Sequence, residues 1–229
     1  RGELRGNRST PGLALLAPTE IRAAVSPRWP YDPPTMRREV AGTFGEIRGE
    51  IVPEREAWFH SGVDFPGAYG ETVRAVFSER VTRPLSVEGV GGPRERLRLP
   101  LFGYIHLRVG RDANERMLEG LESRGFSLRR DEKQQVIGVR VRRGTIISAG
   151  DPLGTLNRMN HVHLVTGPPG AEVNALAALA LPGLIDTVPP VIEDVTITDE
   201  HDRAFLRGEK QSTGSRVTVT GRAKIIVRA

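Results

Sequence analysis

Apolar positions along this chain recur mostly at the two-residue period of strands, and rarely at the 3.6-residue period of helices. Residues 62–81 divide into short strand-like runs around Val63-Asp64-Phe65 and from Thr72 to Phe77, separated by the turn Pro66-Gly67-Ala68-Tyr69-Gly70. Residues 39–51 look strand-like around Gly42 and Gly45, and residues 101–109 form a further apolar strand. Residues 135–141 and 145–148 predict two strands joined at Arg142-Arg143-Gly144, and residues 161–166 another after the turn at 149–154. Two segments break the pattern. Residues 113–124 place Met117, Leu118 and Leu121 at i, i+1, i+4 and predict a short helix, and the Ala-rich run 174–181 predicts one or two helical turns.

The ends differ from the middle. Residues 1–36 are rich in Pro and Arg, and Trp29-Pro30-Tyr31-Asp32-Pro33-Pro34 predicts an extended lead-in lying on a domain surface. Thr187-Val188-Pro189-Pro190 resembles an interdomain linker. Beyond it, residues 191–198 and 216–227 alternate apolar and polar positions, which predicts a small sandwich-like module, immunoglobulin-like at most and cut short. The expected organisation is therefore a lead-in over 1–36, a main domain over 37–182 and a partial β module over 187–229. The expected fold class is all-β, with no internal repeat of fixed period.

Composition sharpens this picture in three ways. Gly 26 and Pro 17 in 229 residues supply the many turns an all-β chain needs. A net charge of +5 admits anionic partners, but both signs are mixed along the chain and no basic run is interleaved with aromatics, so no nucleic-acid partner is expected. No stretch approaches the roughly 20 apolar residues of a membrane-spanning helix. Cysteine is absent, so any metal site must be built from His, Asp or Glu.

Five histidines are available: His60, His106, His161, His163 and His201. His201 lies in the acidic run Asp199-Glu200-His201-Asp202 and is assigned no role. In His161-Val162-His163 the two imidazoles share one strand face, their Cα atoms about 6–7 Å apart, so one can bind a metal while the other stands within reach of bound water or substrate. In His60-Ser61-Gly62-Val63-Asp64 a glycine between the imidazole and the carboxylate permits a bend that lets both converge. Two imidazoles and one carboxylate leave the fourth position of a tetrahedral zinc ion open to water, as a catalytic site requires. His106, in Tyr104-Ile105-His106-Leu107, takes the strand face opposite Ile105 and Leu107 and is placed as a second basic group in a cleft.

These segments together resemble the lysostaphin-type, LytM-like zinc endopeptidases, family twenty-three of the metallopeptidases. Phe59-His60-Ser61-Gly62-Val63-Asp64-Phe65 followed by Gly70-Glu71-Thr72-Val73-Arg74-Ala75-Val76 looks like the first signature of that family. Tyr104-Ile105-His106-Leu107 looks like its middle motif, and Gly150-Asp151-Pro152-Leu153-Gly154 with Asn160-His161-Val162-His163-Leu164 like its last. Thr43-Phe44-Gly45-Glu46 ahead of His60 also fits, and the likeness covers about residues 36–180.

The resemblance implies zinc held by His60, Asp64 and His163, with His161 and His106 acting on the water and the transition state. It also implies a compact antiparallel β-sandwich or barrel-like domain with a groove, and a peptide substrate, usually peptidoglycan cross-links, met in the periplasm or at the cell surface. The signal segment of such a secreted protein would lie outside this sequence, and further C-terminal modules would follow. The predicted helix over 113–124 and the Arg-rich stretch at 94–98 depart from the family pattern and would reshape the groove. The alternative is a non-catalytic cell-wall-binding or regulatory relative using the same groove. The D-alanyl-D-alanine zinc peptidases also end in HxH, but they space the first His and Asp more widely and want a Glu before the last His, where this chain has Met159 and Asn160.

Overall fold

The computed structural model describes residues 17–24, 26–49, 58–185, 191–199, 201, 203–206 and 221–228. They fall into two compact units, Arg1–Leu184 and Ile185–Ala229. Both are built from antiparallel strands, so the expected all-β class holds.

The strands of the first unit are short because glycines and prolines interrupt them every few residues, and the chain passes repeatedly from one sheet to the next. Its central sheet carries the order Val63–Pro66, His161–Thr166, Phe102–Ile105, Arg96–Arg98. A three-stranded sheet of Thr72–Arg74, Pro152–Leu156 and Leu107–Val109 adjoins it. A third sheet sets Val136–Val141 between Phe126–Arg130 and Leu85–Ser86, and small two-stranded ladders join Glu79–Arg80 to Ile146–Ile147 and Ile47–Arg48 to Trp58–Phe59.

Register decides what the central sheet shows on each face. His163 lies opposite Asp64 on one side and Ile105 on the other, and Ile105 lies opposite Arg96. Because facing residues in a ladder project to the same side, Asp64, His163, Ile105 and Arg96 form one row across the sheet. Their neighbours Val63, Phe65, Val162, Leu164 and Tyr104 point the other way and are fully buried.

That inner face is closed partly by the lead-in. Trp29 and Tyr31 are fully buried rather than laid on a surface, and Trp29 meets Phe65 edge to face with ring centroids 5.6 Å apart. The Tyr31 hydroxyl donates to the Phe65 carbonyl at 2.7 Å and accepts from the Val162 amide at 3.3 Å, tying two strands together. Burial of two such rings is worth about 4–6 kcal/mol each by area. The described lead-in also contains a helix, Pro18–Ala24, where an extended chain was expected, and residues 1–16 lie outside the described set.

The helix expected over 113–124 does not form. The chain turns back on itself instead: the Asp112 amide donates to the Arg116 carbonyl, Asp112 Oδ1 accepts from the Asn114 and Arg116 amides, the Leu118 amide donates to the Gly110 carbonyl, and Glu115 and Gly120 take positive φ values of 61° and 75°, outside the helical region. The segment is a series of turns that sends Leu121 into the core. The Ala-rich run does form a single helical turn, Ala175–Ala178, capped by the Asn174 side chain on the Leu176 amide.

In the second unit Asp194–Thr198 pairs with Ala204–Leu206 and with Lys224–Arg228. The expected linker at 187–190 and residues 216–220 of the expected strand segment 216–227 lie outside the described residues, and the rest of that segment carries the strand Lys224–Arg228. No helix among the described residues is long and apolar enough to cross a membrane.

Candidate metal centre

The His60, Asp64 and His163 side chains converge on the outer face of the central sheet. His60 Nε2 stands 3.1 Å from Asp64 Oδ1 and 2.9 Å from His163 Nδ1, and His163 Nδ1 stands 3.0 Å from the same carboxylate oxygen. All three residues are buried, at 6%, 6% and 9% exposure. Backbone pairing brings them together: His163 and Asp64 are ladder partners, and Gly62 allows the turn that returns His60 to the same point. A Cβ at Gly62 would meet the Leu164 carbonyl oxygen at 2.5 Å and His163 Nε2 at 2.6 Å, so only glycine fits there.

The protonation pattern identifies what this cluster can hold. His60 Nδ1 must donate to the Thr43 carbonyl at 2.8 Å, which leaves Nε2 of a neutral ring as a lone pair aimed at His163 and Asp64. Asp64 is held ionised: burial pushes its pKa up, but the hydrogen bond from His163 and the charges of His161 and His60 bring it down to about 2. Two imidazole nitrogens and a carboxylate oxygen in mutual contact form a donor set that fits a divalent cation. Their separations of 2.9–3.1 Å are near the roughly 3.3 Å that ligands about 2.0–2.1 Å from a tetrahedral zinc ion keep from each other. Among the described residues this is the cluster with metal-binding geometry.

His161 and His106 stand beside it. His161 Nε2 lies 3.7 Å from Asp64 Oδ1, and the His106 and His161 rings are 4.6 Å apart. Each is fixed by a carbonyl: His161 Nδ1 donates to Met159 O and His106 Nδ1 to Pro93 O, both at 2.7 Å. Both neutral rings therefore keep Nε2 as an acceptor. The His106 pKa is lowered, first by burial and then by His161 and His163, with the Pro93 contact opposing.

His106 does not occupy a regular strand position, as its sequence setting suggested. It sits with φ at 73° at the corner where Phe102–Ile105 leaves the central sheet and Leu107–Val109 enters the next. That conformation is costly for a residue with a side chain, by about 1–2 kcal/mol, and its surroundings hold it in place. The His106 amide donates to Glu95 O and its carbonyl accepts from the Asn157 amide. Beneath it lies a pair that no pattern in the chain singles out. Glu95 and Arg111, 1% and 0% exposed, meet through two hydrogen bonds of 2.7 and 2.8 Å, and Glu95 also accepts from the Gly91 and Val109 amides. This pair anchors the turn that presents Pro93 O to His106. The acid and base are separated by 16 residues in a chain full of Arg and Glu, so no spacing rule marks them.

The segment ahead of His60 also shapes the site. Residues 41–42 pair with Asp64 through Ala41 N to Asp64 O and Asp64 N to Gly42 O, both 2.9 Å. Arg48 Nη2 then reaches Asp64 Oδ2 at 3.0 Å and Glu46 Oε2 at 3.1 Å. Along the same face, a small cavity of about 90 Å³ opens beyond His163, bounded by Ser61, Arg96, Arg98, Gly103, Ile105 and Glu172. The Arg-rich stretch thus forms an edge strand of the site's own sheet, with Arg96 paired to Glu88 and Arg98 near Glu172. His201 is exposed in the second unit.

No protein-family model matches the chain, and no curated protein matches it. Among solved structures, a zinc-containing peptidase from Vibrio cholerae is similar, with a TM-score of 0.40 and 17% sequence identity. The likeness covers 66% of this chain and 39% of that one, so this chain spans well under half the length of that protein.

Proposed function

We propose that this chain is a zinc-dependent metalloendopeptidase that hydrolyses peptide cross-links of peptidoglycan. The observation that carries the reading is the buried cluster of three metal-ligating atoms with two further imidazoles beside it, each with Nε2 free to accept. His60 through Nε2, His163 through Nδ1 and Asp64 through Oδ1 would hold the ion. Zinc bound there would supply Lewis acidity for the scissile carbonyl and lower the pKa of a bound water.

The chain's own groups do the rest. His161, with Nε2 3.7 Å from Asp64 Oδ1, takes the proton from the attacking water at Nε2, because its Nδ1–H is committed to Met159 O. His106 is kept neutral by burial and receives or relays that proton at its own Nε2, becoming a donor to the oxyanion or the leaving amine only once protonated. The cavity beside His163 offers space for a substrate side chain, with Gly103 and Val165 as its floor. A peptidoglycan substrate places the protein in the periplasm or at the cell surface, and rests on the motif resemblance.

The test is zinc content and hydrolysis of cross-linked cell-wall peptides in wild type and His161→Ala. Wild type should bind one zinc and cleave. H161A should keep the zinc and lose about 10²–10⁴-fold in rate. Full activity in H161A would remove the proton role, and a zinc-loaded wild type without turnover would favour the non-catalytic, wall-binding reading.

A further inference from the structure

The two oxygens of Asp64 face different partners. Oδ1 points at His60, His163 and His161, whereas Oδ2 is taken by Arg48. Arg48 is itself held by Glu46, whose Oε2 accepts from Arg48 Nη2 at 3.1 Å and from the Thr43 amide at 3.2 Å. The same turn is tied to the second ligand: the Thr43 carbonyl receives His60 Nδ1–H, the Glu46 carbonyl receives the His60 amide at 2.7 Å, and the Gly45 amide donates to the His60 carbonyl at 2.8 Å. One surface carboxylate, Glu46, therefore braces the supports of two ligands at once. The space for this arrangement is reserved by Gly42, where a Cβ would overlap Arg48 Nη2 and stand 2.8 Å from Asp64 Oδ2.

We propose that Glu46 and Arg48 form a positioning clamp for the metal centre, fixing Asp64 as a ligand through Oδ1 alone. This rests on the metal reading of the site given above. Chemistry supports it on two counts. A carboxylate beside a divalent ion can bind through one oxygen or two, and a charge-assisted bond from a guanidinium to the second oxygen keeps that oxygen out of the coordination sphere. One-oxygen binding leaves a position open for water, which a two-oxygen carboxylate would crowd. Arg48 thus preserves the open site without touching the metal. Outer partners of this kind typically change metal affinity by about 10–100-fold when removed.

The experiment measures zinc affinity by competition with a chromophoric chelator, and the visible spectrum of the cobalt-substituted protein, in wild type, Arg48→Met, Arg48→Lys, Glu46→Gln and Gly42→Ala. Wild type should bind zinc and give a four-coordinate cobalt spectrum. R48M should bind zinc about 10–100-fold more weakly and shift to the weaker bands of a five-coordinate ion as Oδ2 joins. R48K should recover part of both changes, and G42A should resemble R48M because its Cβ displaces the guanidinium. A role limited to folding would move the melting temperature of the metal-free protein but not the cobalt spectrum of the loaded one. If R48M does not fold, E46Q, which alters a half-exposed carboxylate, carries the test with a several-fold loss of affinity. Unchanged zinc affinity and an unchanged cobalt spectrum in R48M, or in E46Q if that variant stands in, would overturn the clamp while leaving the metal centre standing. A wild-type protein that binds no zinc would overturn the metal reading and the clamp with it.

Discussion

Glu79 offers the most direct test of the buried electrostatics of this fold. It is 6% exposed on the short strand Glu79–Arg80, and its two oxygens accept separately from the Leu101 amide at 2.6 Å and the Phe102 amide at 3.3 Å. Burial raises its pKa from the ordinary 4.5 to about 7, against the pull of those two amides. The native state therefore holds a proton that the unfolded state has released between these two values. The stabilising contribution is complete below about pH 4.5 and is lost as pH rises through about 7. At about 1.4 kcal/mol per pH unit, the full loss is about 3 kcal/mol, of which about 2–3 kcal/mol falls between pH 5 and pH 8. Glu79→Gln removes the titration but places an NH₂ against one amide, a pH-independent penalty of about 1–3 kcal/mol. The stability difference between wild type and E79Q should thus shrink by about 2–3 kcal/mol from pH 5 to pH 8. Urea unfolding in the presence of a chelator, followed by tryptophan fluorescence, measures this on the first unit, since both tryptophans, Trp29 and Trp58, lie there. A wild-type minus E79Q difference that is constant with pH would refute the reasoning.

Three further outcomes are expected. Glu95→Ala leaves the fully buried Arg111 with only the half-exposed Glu115 as charge partner and strips the Gly91 and Val109 amides of their acceptor, and should destabilise the first unit by about 3–5 kcal/mol, while the double change Glu95→Leu with Arg111→Met should recover part of this, both read by denaturant midpoint. Gly154→Ala would drive a Cβ into the Arg108 carbonyl oxygen across the ladder and should lower stability by about 1–3 kcal/mol, seen as a drop in melting temperature with the sheet content retained. Asp64→Ala or His163→Ala should weaken zinc binding more than about 100-fold, beyond the effect of any outer partner, whereas His201→Ala in the second unit should leave metal content by atomic emission unchanged.

The strands were legible in the chain because short runs of β-branched and aromatic residues recur between Gly- and Pro-rich turns, whereas strict alternation is lost where both faces are covered, as in His161–Thr166, buried from Val162 onward. The metal cluster was legible only in its two halves: His60 and Asp64 are four residues apart around a glycine, and His161 and His163 share a strand face, but the pairing of Val63–Pro66 with His161–Thr166 is what brings the halves together. Residues 113–124 misled because Met117, Leu118 and Leu121 fit a helical stripe, while the chain instead makes a tight turn that bridges Arg111 to Met117 and sets Glu115 at positive φ.

What the sequence by itself determined is the β class and the residue types, His and Asp, from which a metal site could be built, since these follow from periodicity and from the absence of cysteine. Only the tertiary structure decided how those donors are held. The Glu95–Arg111 pair beneath His106, the Glu46–Arg48 brace on Asp64 and the burial of Trp29 and Tyr31 all join residues whose partnership has no local signature. A charged side chain in an Arg-rich chain reads as solvated until folding removes water from around it. At that point its pairing becomes a condition of stability, and only the three-dimensional register chooses the partner.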